Sequence, residues 1–268
     1  MVFQNYSSKP HIIIRSFDSD AYPLFTNNMH FKHDLVKNMH QFSMWNVIPS
    51  KSDGNHFDFT SPWPTRFHPS TRDQFNDLIK YWGTHERKNL ISFCGEVRAC
   101  VHETAFSKTR SDRYEFEKIC EKQTDCEIVK FRRTNGLSNL TWNSCENTYR
   151  DSIFCFNQGA DQPSRRAVFQ SMLMGCINVF GWDIMNQTNH VNSWKYLQLV
   201  KDKDYLVLNP EREDFMEVLR SISRERIALM QESIKNKLEK IVYSTKPSNF
   251  MDAIDHLIYF NFKKSISL

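Results

Sequence analysis

The chain has 268 residues, 40% of them hydrophobic, and a formal net charge of +4. That length and apolar content suffice for a buried core in one large domain or two smaller ones. The charge is too mild and dispersed to point to nucleic acid, and the 13% aromatic content, with 21 Phe, excludes a disordered chain.

No apolar run reaches the roughly 20 residues of a membrane span, and the opening MVFQNYSSKP lacks the pattern of a signal peptide. GxGxxG, GxSxG and P-loop patterns are absent, which removes the dehydrogenase, serine hydrolase and P-loop readings. The seven cysteines include no CxxC pair, so a structural zinc site is not indicated. Cys155 and Cys176 sit in apolar, strand-like surroundings and are expected as buried thiols. Cys120, Cys126 and Cys145 fall in polar surroundings and are disulfide candidates if the compartment is oxidising. Sequons at Asn5, Asn139 and Asn186 permit a luminal location.

In chain order, His11 to Ile14 (HIII) reads as a strand. His30, His33 and His40 have spacings that suit one helix face, and surface histidines are a better account of them than a metal site. Phe42 to Ile48 reads as a second strand. In HFDFTSPWPTRFHPS, Pro62, Pro64 and Pro69 rule out regular structure, so this is a rigid crossing segment. Its His68 suits general-base chemistry by residue type, although a His in a Pro-rich loop more often serves as a structural hydrogen-bonder.

Ser70 is placed to cap a helix from Thr71 to about Glu86, with Phe75, Leu78, Ile79 and Trp82 as its apolar face. RKNLISFCGEVR follows as a strand and a glycine turn. Arg98 then stands where α/β sheets bind ligands at strand ends, or else makes a loop salt bridge. Thr109 to Lys122 reads as a helix, Cys126 to Phe131 as a strand and RRTNGLSNLTWNS as a loop. Tyr205 to Leu208 is a last strand. Helices follow near Asp214 to Ser221, Arg224 to Tyr243 and Asn249 to Phe262.

The stretch Asp151 to Trp182 reads strand, polar turn, helix, strand, the unit of a parallel, helix-covered sheet. Ser164, preceded by Pro163, is placed to cap the helix, and free backbone N–H groups point outward there. Arg165 and Arg166 fall in the first turn, where cations are disfavoured by the helix dipole unless an anion offsets them. The pair is either a diphosphate site or a solvated surface feature. Gln170, four residues after Arg166 on the same face, could reach a sugar hydroxyl.

FCFNQGADQPSRRAVFQSMLMGCINVF resembles the C-terminal signature of exostosin-type glycosyltransferases, in the branch of the plant xyloglucan galactosyltransferases. The pattern there is roughly FCLxPxGDxxTRRSxFDxxxAGCIPVFF. Phe154, Cys155, Asp161, Arg165, Arg166, Phe169, Gly175, Cys176, Ile177 and Val179 match. Gln170 departs from an acidic residue, and Asn178 from a proline. Asp58, Phe59, Pro62, Pro64, Thr65, Phe67, His68 and Pro69 match the family's DFxIPYPTxFHP, and Arg98 ends a segment similar to RKxLFSFAGxxR.

The resemblance implies an α/β chain, GT-B-like, with a Rossmann-like C-terminal lobe and an incomplete N-terminal lobe. The expected divisions are 1–86 for the partial acceptor-side lobe, 87–245 for the nucleotide-sugar lobe and 246–268 for a helix packing back. The chain is then expected to be N-terminally truncated relative to family members, which are anchored in the Golgi membrane.

The implied reaction moves a sugar from a nucleotide sugar, a UDP-sugar, to a glycan or polysaccharide acceptor with inversion. No metal or cofactor is implied. Arg98, Asp161, Ser164, Arg165, Arg166 and Gln170 would bind the donor. Gln170 would accept ribose hydroxyls through its amide oxygen, without the charge-assisted strength of an acid. The alternative is an inactive remnant that binds nucleotide or serves as a partner subunit in a homo- or hetero-dimer.

Overall fold

The computed structural model describes residues 11–15, 39–43, 59–60, 62, 64–97, 107–130, 139–158, 166–181, 197–244, 251–256 and 259. The β-branched run at the start forms β1 (His11–Arg15), which pairs in parallel with β2 (Met39–Ser43). In turn β2 pairs in parallel with the short β3 (Phe59–Thr60), giving a three-stranded sheet. The second strand therefore begins three residues earlier than the apolar pattern indicates, and His40 belongs to it rather than to a helix face. His30 and His33 lie outside the described residues.

After the proline-rich segment comes α1 (Arg72–Thr84). Its cap is Thr71, not Ser70: the Thr71 hydroxyl accepts the N–H of Gln74. Gln74 Oε1 in turn accepts the N–H of Ser70 at 2.7 Å, so two donors at this helix start are satisfied reciprocally. Phe75 is buried and Leu78, Ile79 and Trp82 are partly buried against the core, as the apolar stripe indicates.

The larger sheet holds β4 (Asn89–Gly95), β5 (Cys126–Lys130), β6 (Ser152–Phe156), β7 (Ile177–Phe180) and β8 (Tyr205–Val207). All pairings are parallel, in the order β5-β4-β6-β7-β8. Three crossovers carry α2 (Ser107–Cys120), α3 (Asn139–Arg150) and α4 (Arg166–Leu173). Because helices cover the sheet, its central strands read as unbroken apolar runs. Ile91, Phe93, Phe154, Phe156, Ile177 and Val179 have no exposed surface. Phe116 of α2 stacks on Phe156 at 4.4 Å, and Phe215 of α5 (Phe215–Arg220) closes edge-on against both rings.

α3 occupies part of the stretch read as loop. Its Asn, Ser and Thr are poor helix formers, so local propensity does not reveal it. Tertiary contacts hold it instead: Cys145, Thr148 and Tyr149 are buried, and Cys145 is disulfide-bonded to Cys94 of β4. The long helix expected from Arg224 to Tyr243 is α6 (Arg224–Lys235) followed by a separate 3-10 turn, Leu238–Ile241. Residues 253–256 are helical, within the last helix expected from sequence.

Cys120 pairs with Cys126, and Cys155 pairs with Cys176. The expectation of buried thiols at Cys155 and Cys176 is thereby corrected. Apolar burial and strand context are as expected, but β6 and the entry to β7 bring the two sulfurs together. Among the described residues, no helix is long and apolar enough to cross a membrane.

Candidate functional site

The strand order reverses about β4, since β5 lies on one side of it and β6 on the other. Chain segments leaving the carboxyl ends of β4 and β6 therefore diverge, and an open parallel sheet presents its ligand crevice at such a point. Arg98 follows Val97 at the end of the described chain after β4. Asp161, Ser164 and Arg165 fall between Gln158, after β6, and Arg166, which opens α4. Arg98, Asp161, Ser164 and Arg165 themselves lie outside the described residues.

Beside these strand ends the buried side chains are polar. Gln158 is fully buried; its Oε1 accepts the N–H of Gly181 at 2.9 Å, and its Nε2 donates to Asp112 of α2. A Cβ at Gly181 would overlap Gln158 Nε2, so a side chain there would displace this contact. Arg113, also buried, donates from Nη1 to the carbonyl of Glu96 just beyond β4. Asp112 and Arg113 thus link α2 to both strand ends that form the crevice. The sequence gives no cue to them, because SKTRSDRYEFEK reads as an ordinary charged helix surface.

One layer deeper, Asn157 Nδ2 donates to Ser171 Oγ at 3.1 Å and to Asn178 Oδ1 at 2.5 Å. Asn178 Nδ2 donates to the carbonyl of Val168 at 3.3 Å. This buried network ties α4 to β6 and β7 and explains what Asn178 does in place of a proline. Arg166, at the start of α4, is partly exposed.

Gln170, one turn on, is 1% exposed. Its Oε1 accepts the backbone N–H of Arg66 at 2.9 Å, and its Nε2 has no hydrogen-bond partner among the described residues. The oxygen expected to meet a sugar hydroxyl is therefore engaged by the proline-rich segment.

That segment is a strap held at several points. The Arg66 guanidinium donates to Asn143 Oδ1 at 2.8 Å and lies 3.8 Å from Glu146, both on α3. Burial pushes the Glu146 carboxyl up from its ordinary range, against the opposing pull of Arg66 and Arg150. The Tyr243 hydroxyl donates to the carbonyl of Pro62 at 2.6 Å. In return, the Tyr243 carbonyl lies 3.0 Å from His68 Nδ1. A carbonyl only accepts, so Nδ1 carries the proton and a neutral ring leaves Nε2 as its acceptor. His68 is exposed, and the contact assigned to its ring serves the main chain.

The exostosin GT47 domain pattern matches residues 7–241 of the chain. Among curated proteins of Arabidopsis thaliana, Probable xyloglucan galactosyltransferase GT13 is 24% identical over 213 residues, covering 77% of this chain and 43% of its own length. Xyloglucan galactosyltransferase XLT2 is 26% identical over 218 residues, covering 78% of this chain and 40% of its own length. Probable xyloglucan galactosyltransferase GT17 is 29% identical over 254 residues, covering 90% of this chain and 50% of its own length. The chain thus spans half or less of the length of these relatives. With every strand of both sheets inside the matched range, the chain belongs to the exostosin GT47 family of glycosyltransferases.

Proposed function

We propose that the chain transfers a sugar from a UDP-sugar to a glycan acceptor with inversion, without a metal ion. The observation that carries this reading is the reversal of strand order at the adjacent strands β4 and β6 of a parallel sheet. The segment after β4 continues into Arg98; the segment after β6 carries Asp161, Ser164 and Arg165 and ends at Arg166, where α4 begins. Backbone N–H groups at the start of α4 and the Arg165 and Arg166 guanidiniums would bind the diphosphate, with Arg98 as a further contact. An acceptor hydroxyl attacks the anomeric carbon, forming the new C–O bond as the bond to the diphosphate breaks. The electron pair departs with UDP, where the arginines stabilise the growing charge, and the hydroxyl proton passes to a base.

Xyloglucan is a reasonable first acceptor because the relatives carry it in their names, and galactose a first donor sugar for the same reason. The three disulfides support an oxidising lumen such as that of the Golgi apparatus. We read residues before 87 as the acceptor-side part and 87 to 245 as the nucleotide-sugar part, a division that the presence of two separate sheets supports. The test is incubation with a panel of UDP-sugars and xyloglucan oligosaccharides, reading UDP release and acceptor mass. A hexose added to the acceptor supports the reading; intact acceptor with every donor contradicts it.

A second reading, a nucleotide-binding partner subunit without transfer activity, is favoured by one observation. The residue at the family's acidic position is an amide whose oxygen is held by Arg66. UDP binding without transfer would select it.

A further inference from the structure

Gln170 of α4 meets the strap through its side-chain oxygen, while its amide nitrogen is unused among the described residues. Its oxygen accepts Arg66 N–H, while its Nε2 is buried and makes no hydrogen bond among the described residues. A buried amide N–H2 group left without an acceptor is costly, so persistent burial of one in a candidate site implies that something else supplies the acceptor. Its place fits a ligand. Gln170 stands one turn after Arg166, on the same side of α4.

We infer that Gln170 Nε2 donates a hydrogen bond to an oxygen of the bound nucleotide, so that this chain reads an acceptor where an acidic residue would read a donor. The inference rests on the nucleotide-binding reading above and reverses the sign expected at this position. A carboxylate here would keep the bond to Arg66 N–H, since it also accepts, but would face the ligand oxygen with a second acceptor and a negative charge. The donating amide is what the site uses. The acceptor is either a phosphate oxygen or a carbonyl oxygen of the nucleoside's base, neither of which can donate to a carboxylate, and the two are separable by ligand.

The experiment is calorimetric titration of the full chain with UDP and uridine, at pH 8 and pH 5.5. Wild type is compared with Gln170→Glu and Gln170→Met, and thermal unfolding of each variant checks folding. At pH 8, Gln170→Glu is expected to bind UDP at least tenfold more weakly than wild type. At pH 5.5 the gap is expected to narrow, because a protonated acid regains an O–H donor. Thermal unfolding at both pH values separates this rescue from simple relief of a buried charge, which would restore stability together with binding. Gln170→Met, which has no donor in either condition, is expected to stay weak at both.

A loss seen equally with uridine assigns the acceptor to the nucleoside; a loss confined to UDP assigns it to phosphate. Wild-type binding with Gln170→Glu equal or tighter at pH 8 overturns this inference and leaves the nucleotide site standing. Wild type that binds no UDP overturns both. If Gln170→Glu does not fold, Gln170→Met decides alone: a tenfold loss supports the inference and unchanged affinity overturns it.

Discussion

The side-chain oxygen of Gln170 accepts the backbone N–H of Arg66 at 2.9 Å, across 104 residues of sequence. Through this bond the helix that opens with Arg166 is fixed to the strap that also carries His68. Arg66 then reaches on to Asn143 and Glu146 of α3, so one strap residue joins two helices that flank β6.

Loss of that bond is expected to loosen the strap locally. In Gln170→Ala the Arg66 amide loses its acceptor, and one net hydrogen bond of about 1 kcal/mol corresponds to roughly a fivefold faster exchange. Native-state hydrogen exchange at Arg66 and Phe67 checks this. Exchange unchanged at Arg66 would show that the strap is held without Gln170.

Much of the architecture was legible. The βαβ unit from Ser152 to Phe180 follows from apolar runs of strand length around one helical pattern, and its bounds differ from the observed ones by a residue or so. The helix Asn139–Arg150 was not legible, because its Asn, Ser and Thr are poor helix formers and it is held by Cys94–Cys145 and packing on β4 and β6. The disulfide Cys155–Cys176 was hidden for a related reason: burial in strands is common to thiols and disulfides, and only the sheet register shows which sulfurs meet. Of the candidate site, position 170 was legible by helical spacing. Its contact with Arg66 was not, because it depends on where a proline-rich strap crosses.

Arg87 is a buried clasp at the ends of two helices. Nη1 reaches the carbonyls of Tyr149, Arg150 and Ser152, and Nη2 donates to that of Met174. Burial lowers its pKa to about 10, which still leaves it charged near neutrality. Arg87→Met is expected to cost on the order of 3 kcal/mol by stranding those carbonyls, with no change in that loss between pH 6 and 8. Gly175, at φ +73°, has room for no Cβ, which would fall 2.5 Å from Arg87 Nη2 and 2.7 Å from Trp82. Gly175→Ala is expected to destabilise by more than about 1 kcal/mol, and the pair to be non-additive. Denaturant unfolding of the two single variants and the double variant checks both statements.

Asp204 and Lys237 form an ion pair at 2.7 Å, with the Asp204 side chain fully buried. Asp204 also accepts from Ser233 Oγ and from the N–H of Val200, so its charge is well satisfied. Asp204→Ala is expected to cost roughly 3–5 kcal/mol, since it leaves a largely buried ammonium unpaired. Adding Lys237→Met is expected to recover part of that loss. A double variant less stable than Asp204→Ala would contradict this account of the pair.

Protein produced through an oxidising secretory route is expected to yield three cross-linked peptide pairs on non-reducing digestion: Cys94 with Cys145, Cys120 with Cys126 and Cys155 with Cys176. Removing Cys155 and Cys176 together by substitution with Ala is expected to lower stability by about 2–4 kcal/mol. Mass spectrometry after thiol alkylation reads the first expectation. Alkylated Cys155 and Cys176 in folded, secreted protein would contradict it.

The most direct measurement is calorimetric titration of the purified chain with UDP, beside an Arg165→Ala, Arg166→Ala double variant. The account expects saturable binding by the wild type and its loss in a double variant that unfolds at the same temperature. A well-folded wild-type chain that takes up no heat with UDP, or a double variant that binds as tightly, would contradict a donor site at the start of α4.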